Sequence, residues 1–264
     1  MVFLHNQGAK IYWDEQGSGD PILLIMGLGY PSYLWHRTRP ALKERYRTIA
    51  LDNRGSGQSD APAGPYSIAL MASDAAAALD AAGVECAHVF GLSMGGMIAQ
   101  EFALQYPTRV RSLILGCTAP GGPNAVRAEK RVTEILMGNG LSPEEHARAM
   151  RPYVYDSSTP LERIEEDLAV RRKWFPKPEA YKAQLQGIFE WEAYSRLHKI
   201  AAPTLVIHGE TDQLVPAGNA DLIASRINGS QLVKLPHASH IFITDQPEAS
   251  LKAIMGFLAA QSHA

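Results

Sequence analysis

Cysteine is nearly absent from this chain: Cys86 and Cys117 are the two in 264 residues. Two thiols make no disulfide framework at this length. Each lies in or beside an apolar run and reads as a small buried hydrophobe. No apolar stretch approaches the roughly 20 residues that a bilayer-spanning helix needs. The start, MVFLHNQGAKIYWDEQG, lacks the basic segment, apolar run and small-residue cleavage site of a secretory signal. A cytoplasmic protein without a membrane partner is the expectation. An excess of one charge is missing too, with 25 Lys and Arg against 27 Asp and Glu. No basic stripe is present, so nucleic acid is not an expected partner. None of the nine histidines falls in HExxH, and there is no C-x-x-C pair. No metal and no cofactor are expected. What the chain does have is 46% hydrophobic residues, enough for the core of one large α/β unit.

The pattern along the chain alternates strands and helices. Residues 2–5 and 9–14 read as a hairpin about Gly8. The runs 22–26, 46–51, 87–91, 110–116 and 204–209 are apolar on both faces, as strands covered on both sides must be. A last strand is read at 231–235. Helices are expected at 66–83, 95–106, 216–226 and 247–260. This order implies a mostly parallel, eight-stranded sheet with right-handed crossovers and helices on both faces. After the sixth strand the alternation breaks. Four helices are expected at 125–138, 143–151, 160–173 and 178–194, with prolines 143, 160 and 178 at their starts. The organisation read from this is a core of residues 1–120 and 201–264, with a helical lid of 121–200 roofing the C-terminal edge of the sheet.

The sharpest local signal is Gly91-Leu92-Ser93-Met94-Gly95, a GxSxG placed between a buried strand and a helix. A serine on such a turn requires small neighbours two positions away on each side, and Gly96 keeps the helix start slim against the sheet. Ser93 then sits at a helix N-terminus, where backbone N–H groups face developing negative charge. A serine nucleophile needs a base, and the base needs a carboxylate. In chain order the candidates are Asp212, in HGETD after the strand 204–208, and His240, in PHASH after the strand 231–235. His237 and His208 are the competing bases. No carboxylate occurs in GCTAPGG after the strand 111–116, where an alternative acid would sit. The oxyanion donors are expected to be the backbone N–H groups of Met94 and of Leu28, the latter in Met26-Gly27-Leu28-Gly29. The glycine-rich Asp52–Asp60 segment lacks GxGxxG and GK[ST], so it reads as a tight turn in which Asp52 and Arg54 brace each other.

Taken together, LLIMGLG, LDNRGSGQSD, HVFGLSMGG, HGETDQLVP and the final HASH resemble the α/β-hydrolase fold family over essentially the whole chain. Within it, YRTIALDNRGSGQSDAPAGPYSI and AHVFGLSMGGMIAQEFALQYPTRV are most similar to 3-oxoadipate enol-lactonases and related methyl esterases. Many relatives carry His-Gly at the oxyanion loop where this chain has Met26-Gly27. The resemblance implies an α/β-hydrolase fold and a serine hydrolase acting through an acyl-enzyme on a small to medium-sized, moderately apolar ester or lactone. Serine at position 93 excludes haloalkane dehalogenases, which use aspartate. Cofactor-free haloperoxidases (perhydrolases), C–C bond hydrolases and small-molecule receptors on the same scaffold stay open, because fold does not fix function. Trp35, His36, Met97, Trp174, Phe175, Phe189 and Trp191 are the expected substrate-binding side chains. Arg127, Arg131, Arg171 and Arg172 are the lid cations that a dicarboxylate substrate would use. A homo-oligomer is compatible with all of this.

Overall fold

The computed structural model describes residues 2–138 and 140–261. Eight strands form one sheet: β1 (Val2–Asn6), β2 (Ala9–Gln16), β3 (Asp20–Ile25), β4 (Tyr46–Leu51), β5 (Ala87–Leu92), β6 (Val110–Gly116), β7 (Thr204–Gly209) and β8 (Gln231–Leu235). Their order is β1-β2-β4-β3-β5-β6-β7-β8. β2 pairs antiparallel with β1 and β4, and every pairing from β4 to β8 is parallel.

Ten α-helices are assigned among the described residues. α1 (Arg39–Leu42), α2 (Ile68–Ala81) and α3 (Met94–Gln105) precede β6. α4 (Lys130–Leu136), α5 (Pro143–Val154), α6 (Leu161–Lys173) and α7 (Pro178–Glu190) all fall between β6 and β7. α8 (Gly218–Arg226), α9 (Phe242–Asp245) and α10 (Pro247–Gln261) complete the chain. This is the α/β-hydrolase architecture with its helices inserted after strand six. None of the described helices is long and apolar enough to cross a membrane.

The strand period of two explains the layering. Leu23, Ile25 and Val89 face a core built with α2 and α3. Ile22, Leu24 and Phe90 face the opposite core, shared with Trp35 and with Ile254, Phe257 and Leu258 of α10. Residues buried on both faces made these strands readable as unbroken apolar runs.

Four expectations are corrected. The first insert helix covers only Lys130–Leu136, because 117–129 is irregular chain whose Gly121 makes a single bridge to Glu192. α7 stops at Glu190, before that bridge. Arg54 does not brace Asp52. Its Nε and Nη2 each donate at 2.7 Å to Asp74 on α2, while Asp52 accepts from the N–H groups of Ser32 (2.6 Å) and Gln58 (2.8 Å). Cys86 is half-buried, whereas Cys117 is fully buried.

Topology fixes where ligands bind. From β3 the chain moves to β4 on one side and then returns to β5 on the other, so the connections diverge between β3 and β5. The C-terminal ends of strands at such a switch point form a crevice. Ile25 pairs with Gly91 there, so the loops after β3 and β5 meet at that edge.

Candidate active site

Ser93 links β5 to α3 with φ 59° and ψ −121°, a strained conformation for a residue with a side chain. Two glycines make the turn possible by close approach. A Cβ on Gly91 would overlap the Gly95 carbonyl, and one on Gly95 would overlap the Ile25 carbonyl. Gly96 lies against Thr118. The Ser93 N–H donates to the Gly116 carbonyl at 2.8 Å, and Thr118 Oγ1 donates to the Ser93 carbonyl at 2.8 Å, so β6 holds the turn.

His240 Nε2 lies 2.9 Å from Ser93 Oγ, and His240 Nδ1 lies 2.8 Å from Asp212 Oδ2. Asp212 is buried in the loop after β7. Its Oδ1 accepts the N–H groups of Leu214 (2.9 Å) and Val215 (2.8 Å). Burial pushes its carboxyl up, but the facing His240, together with hydrogen bonds from His208 and His240, outweighs this and holds it well below the usual carboxylate range. It is therefore ionised at neutral pH. His208 Nε2 sits 2.7 Å from the Val215 carbonyl and 3.2 Å from Asp212 Oδ2, so this histidine props the acid and is not placed to reach Ser93. His237 is exposed. The loop carrying His240 is tied down by Asp245 Oδ2, which accepts the Ser239 N–H at 2.7 Å, and by the Ile241 N–H, which donates to the Val154 carbonyl at 2.9 Å.

The loop after β3 packs against the serine: a Cβ on Gly27 would stand 3.1 Å from Ser93 Cβ. Asn53 Nδ2 donates to the Met26 carbonyl at 2.8 Å, and Gln184 Oε1 accepts the Gly29 N–H at 2.9 Å. Leu28 and Met94 both line the cavity that Ser93 and His240 line. Cys117, Asp212 and His240 bring possible metal-ligating atoms within 4.8 Å of one another. Both ring nitrogens of His240 are already engaged, however, and burial pushes the Cys117 thiol up, which keeps it protonated. The donor set suits proton transfer and not a cation.

The cavity above Ser93 has a volume of about 430 Å³ and an apolar lining. Of the side chains expected there, Met97 and Phe189 line it. Trp35, His36, Trp174 and Trp191 do not. A 3-10 helix, Ser32–Arg37, turns Trp35 into the core, where its ring lies 4.7 Å from that of Phe90. His36 Nε2 is bound to Asp167 Oδ1 at 2.9 Å. Trp174 stacks on Tyr33, and Trp191 Nε1 donates to buried Glu101 at 2.8 Å. Phe175 lines a smaller neighbouring hollow. Arg127 and Arg171 reach the main cavity; Arg131 is exposed, and Arg172 pairs with Glu165. Sequence reasoning missed Tyr30, His146, Met150, Val154 and Tyr181. Three of these, 146, 150 and 154, form an i, i+4, i+8 stripe on α5, a signal that aromatic content alone did not reveal.

A family model for the alpha/beta hydrolase fold matches residues 20–247. The RutD protein of Azorhizobium caulinodans, whose name assigns it provisionally to carbamate hydrolysis, is 34% identical over 97% of this chain and 98% of its own length. 3-Oxoadipate enol-lactonase 2 of Acinetobacter baylyi is 30% identical over 94% of this chain and 92% of its own. The crystal structure of the enol-lactonase from Burkholderia xenovorans LB400 superposes with a TM-score of 0.88 at 26% identity, covering 98% of this chain and 100% of that one.

Proposed function

The chain belongs to the α/β-hydrolase fold family, and on that premise we propose that Ser93, His240 and Asp212 are its catalytic triad. The protein is a carboxylic-ester hydrolase of the esterase and lactonase kind, acting on a small, apolar ester or lactone through an acyl-enzyme. The observation that carries the residue assignment is the unbroken chain of contacts from Ser93 Oγ through both nitrogens of His240 to Asp212.

His240 Nε2 takes the Ser93 proton as Oγ attacks the carbonyl carbon. The oxyanion rests on the N–H groups of Met94 and Leu28. Each such donor supplies about 3 kcal/mol in the transition state. Collapse of the tetrahedral intermediate expels the alcohol, which takes the proton from His240. In a lactone the alcohol stays tethered to the acyl group. Water then gives a proton to His240 as it attacks the acyl carbon; the bond from that carbon to Ser93 Oγ breaks, Oγ takes the proton back from His240, and the acid is freed. Asp212 stays ionised and keeps Nδ1 protonated, so Nε2 is the basic nitrogen throughout. Residues 121–200 act as the cap over a core of 1–120 and 201–264, and the cytoplasm is the site of action.

Carbamate hydrolysis is a second reading, favoured by the 34% identity to RutD, since the same attack applies to a carbamate carbonyl. The test is a panel of p-nitrophenyl acetate, butyrate and octanoate, several lactones, an aromatic methyl ester and an alkyl carbamate, run on wild type and Ser93→Ala. Ester or lactone turnover that falls by at least about 10⁴ in the variant is expected. Carbamate turnover alone would favour the second reading. No turnover, and no labelling of Ser93 by a serine-directed phosphonate, would sink both and leave a receptor.

A further inference from the structure

The lining of the cavity above Ser93 is largely apolar; its cations are Arg127 and Lys130, both exposed, and Arg171. Arg171, on α6, lines it while only 6% exposed. A guanidinium buried to that degree is costly unless a counter-charge faces it. Among the described residues no carboxylate does so. The nearest acid along its own helix, Asp167, is fully used elsewhere. Its Oδ1 takes His36 Nε2 at 2.9 Å and Arg37 Nε at 3.4 Å, and its Oδ2 accepts from Tyr155 (3.2 Å) and Thr244 (2.6 Å).

Among the described residues Arg171 makes one side-chain hydrogen bond, from Nη1 to Tyr30 Oη at 3.3 Å. Its Nε is buried without a partner among the described residues. The Tyr30 ring, 4.8 Å away, and the Phe175 ring, 5.8 Å away, hold the cation by their faces. They fix its position without cancelling its charge. Beside it, His146 also lines the cavity and has a buried Nε2 without a partner. Burial and the neighbouring Arg171 both push the His146 pKa down, so His146 is neutral and offers no second cation.

We propose that Arg171 is the anchor for an ionised carboxylate on the substrate, remote from the bond that Ser93 cleaves. The inference rests on the serine-hydrolase reading and narrows its substrate class to half-esters and lactones that carry a free acid. A planar guanidinium whose one side-chain hydrogen bond among the described residues is to Tyr30 keeps further N–H donors for the two oxygens of a carboxylate. Arg171 is the one buried cation of the described lining, and it balances the single negative charge of a carboxylate. The apolar remainder of the cavity takes the carbon chain between the two ends.

The test uses matched ester pairs on the whole protein. For charge on the acyl side, mono-p-nitrophenyl adipate is compared with its methyl ester. For charge on the alcohol side, 4-carboxyphenyl butyrate is compared with 4-(methoxycarbonyl)phenyl butyrate. In at least one pair the acid is expected to have the higher kcat/KM by about tenfold or more, with the ratio collapsing towards one in Arg171→Met and recovering in part in Arg171→Lys. Equal kcat/KM in both wild-type pairs, or a preference that survives Arg171→Met, overturns the proposal. Neutral esters cleaved in a Ser93-dependent way without any acid preference would leave the hydrolase reading intact and remove only this one. If no ester turns over, calorimetric titration with adipate decides: binding by wild type that is lost in Arg171→Met supports the anchor, and no binding by wild type refutes it.

Discussion

Ser93, His240 and Asp212 come from three loops far apart in sequence, and each is held by backbone geometry as well as by its partners. The serine is fixed by a turn that admits no side chain at Gly91 or Gly95. The acid is fixed by two backbone N–H groups and by His208. These supports make Asp212→Asn informative. The amide oxygen can still accept from Leu214 and Val215, but its NH₂ then faces His240 Nδ1 and favours the wrong tautomer. The expected result is a fall in kcat of about 10⁴ with KM little changed, measured on whichever ester wild type prefers. Retention of more than a tenth of wild-type kcat would mean that Asp212 is not the orienting acid. The low pKa direction of Asp212 also predicts that it supplies no acid-limb titration to the pH–rate profile above pH 4. His88 illustrates the opposite case. Burial first, with the Arg111 charge adding to it, pushes it down to about 4. It stays neutral inside β5, hydrogen-bonded to Ser112 at 2.7 Å, and takes no part in the site.

At the scale of elements, α7 is tied to the catalytic edge through one buried side chain. Gln184 accepts the Gly29 N–H through Oε1, and its Nε2 donates to the Arg54 carbonyl at 2.7 Å and to Ser56 Oγ at 2.9 Å. The insert thereby sets the position of the loop that carries Leu28. Gln184→Leu leaves a buried N–H and a buried carbonyl unpaired, each costing about 1–3 kcal/mol. Beyond this loss of stability, kcat is expected to fall about tenfold at a temperature where the variant is fully folded, with KM nearly constant, because the loop that carries the proposed oxyanion donor Leu28 loosens. A lowered melting temperature with kcat intact would confine Gln184 to a structural role. This coupling also marks how far the sequence could be read. The strands were legible because burial on both faces leaves unbroken apolar runs, and the Ser93 turn because its glycines are forced by local contacts. Which face of an insert helix looks down on Ser93 depends on how α4 to α7 pack over the sheet. Aromatic content therefore pointed to Trp35, Trp174 and Trp191, which the fold uses against Phe90, Tyr33 and Glu101. The Arg54–Asp74 pair was missed for the same reason: it joins a loop to α2 across 20 residues, while the nearer Asp52 looked the simpler partner.

For the whole molecule, Asp245 joins three parts of the fold. From α9 it accepts Thr159 Oγ1 of the insert at 2.6 Å and the Ser239 N–H, next to His240, at 2.7 Å. Burial pushes its carboxyl up to about 6 despite these hydrogen bonds. Because the folded pKa lies above the unfolded one, the folded chain holds this proton over a window where the unfolded chain has released it. Asp245 therefore supports the fold most below about pH 4, and that support fades as pH rises through about 6, by about 3 kcal/mol for a shift of this size. Asp212 works in the opposite sense: its carboxyl is depressed, so its contribution is in place above the unfolded carboxylate pKa and is lost only as pH falls below it. The two can be separated with Asp245→Asn, which removes the first titration and leaves the second. Urea unfolding of both proteins at pH 4.5 and pH 7 is the measurement. The variant is expected to be the less stable at pH 4.5, because its amide cannot accept from both Thr159 and Ser239, and to close that gap at pH 7 by about 2 kcal/mol, within the full size of the Asp245 term. A gap that stays constant between the two pH values would show that Asp245 titrates as an ordinary carboxylate, and that the joint between insert, His240 loop and α9 carries no stored proton.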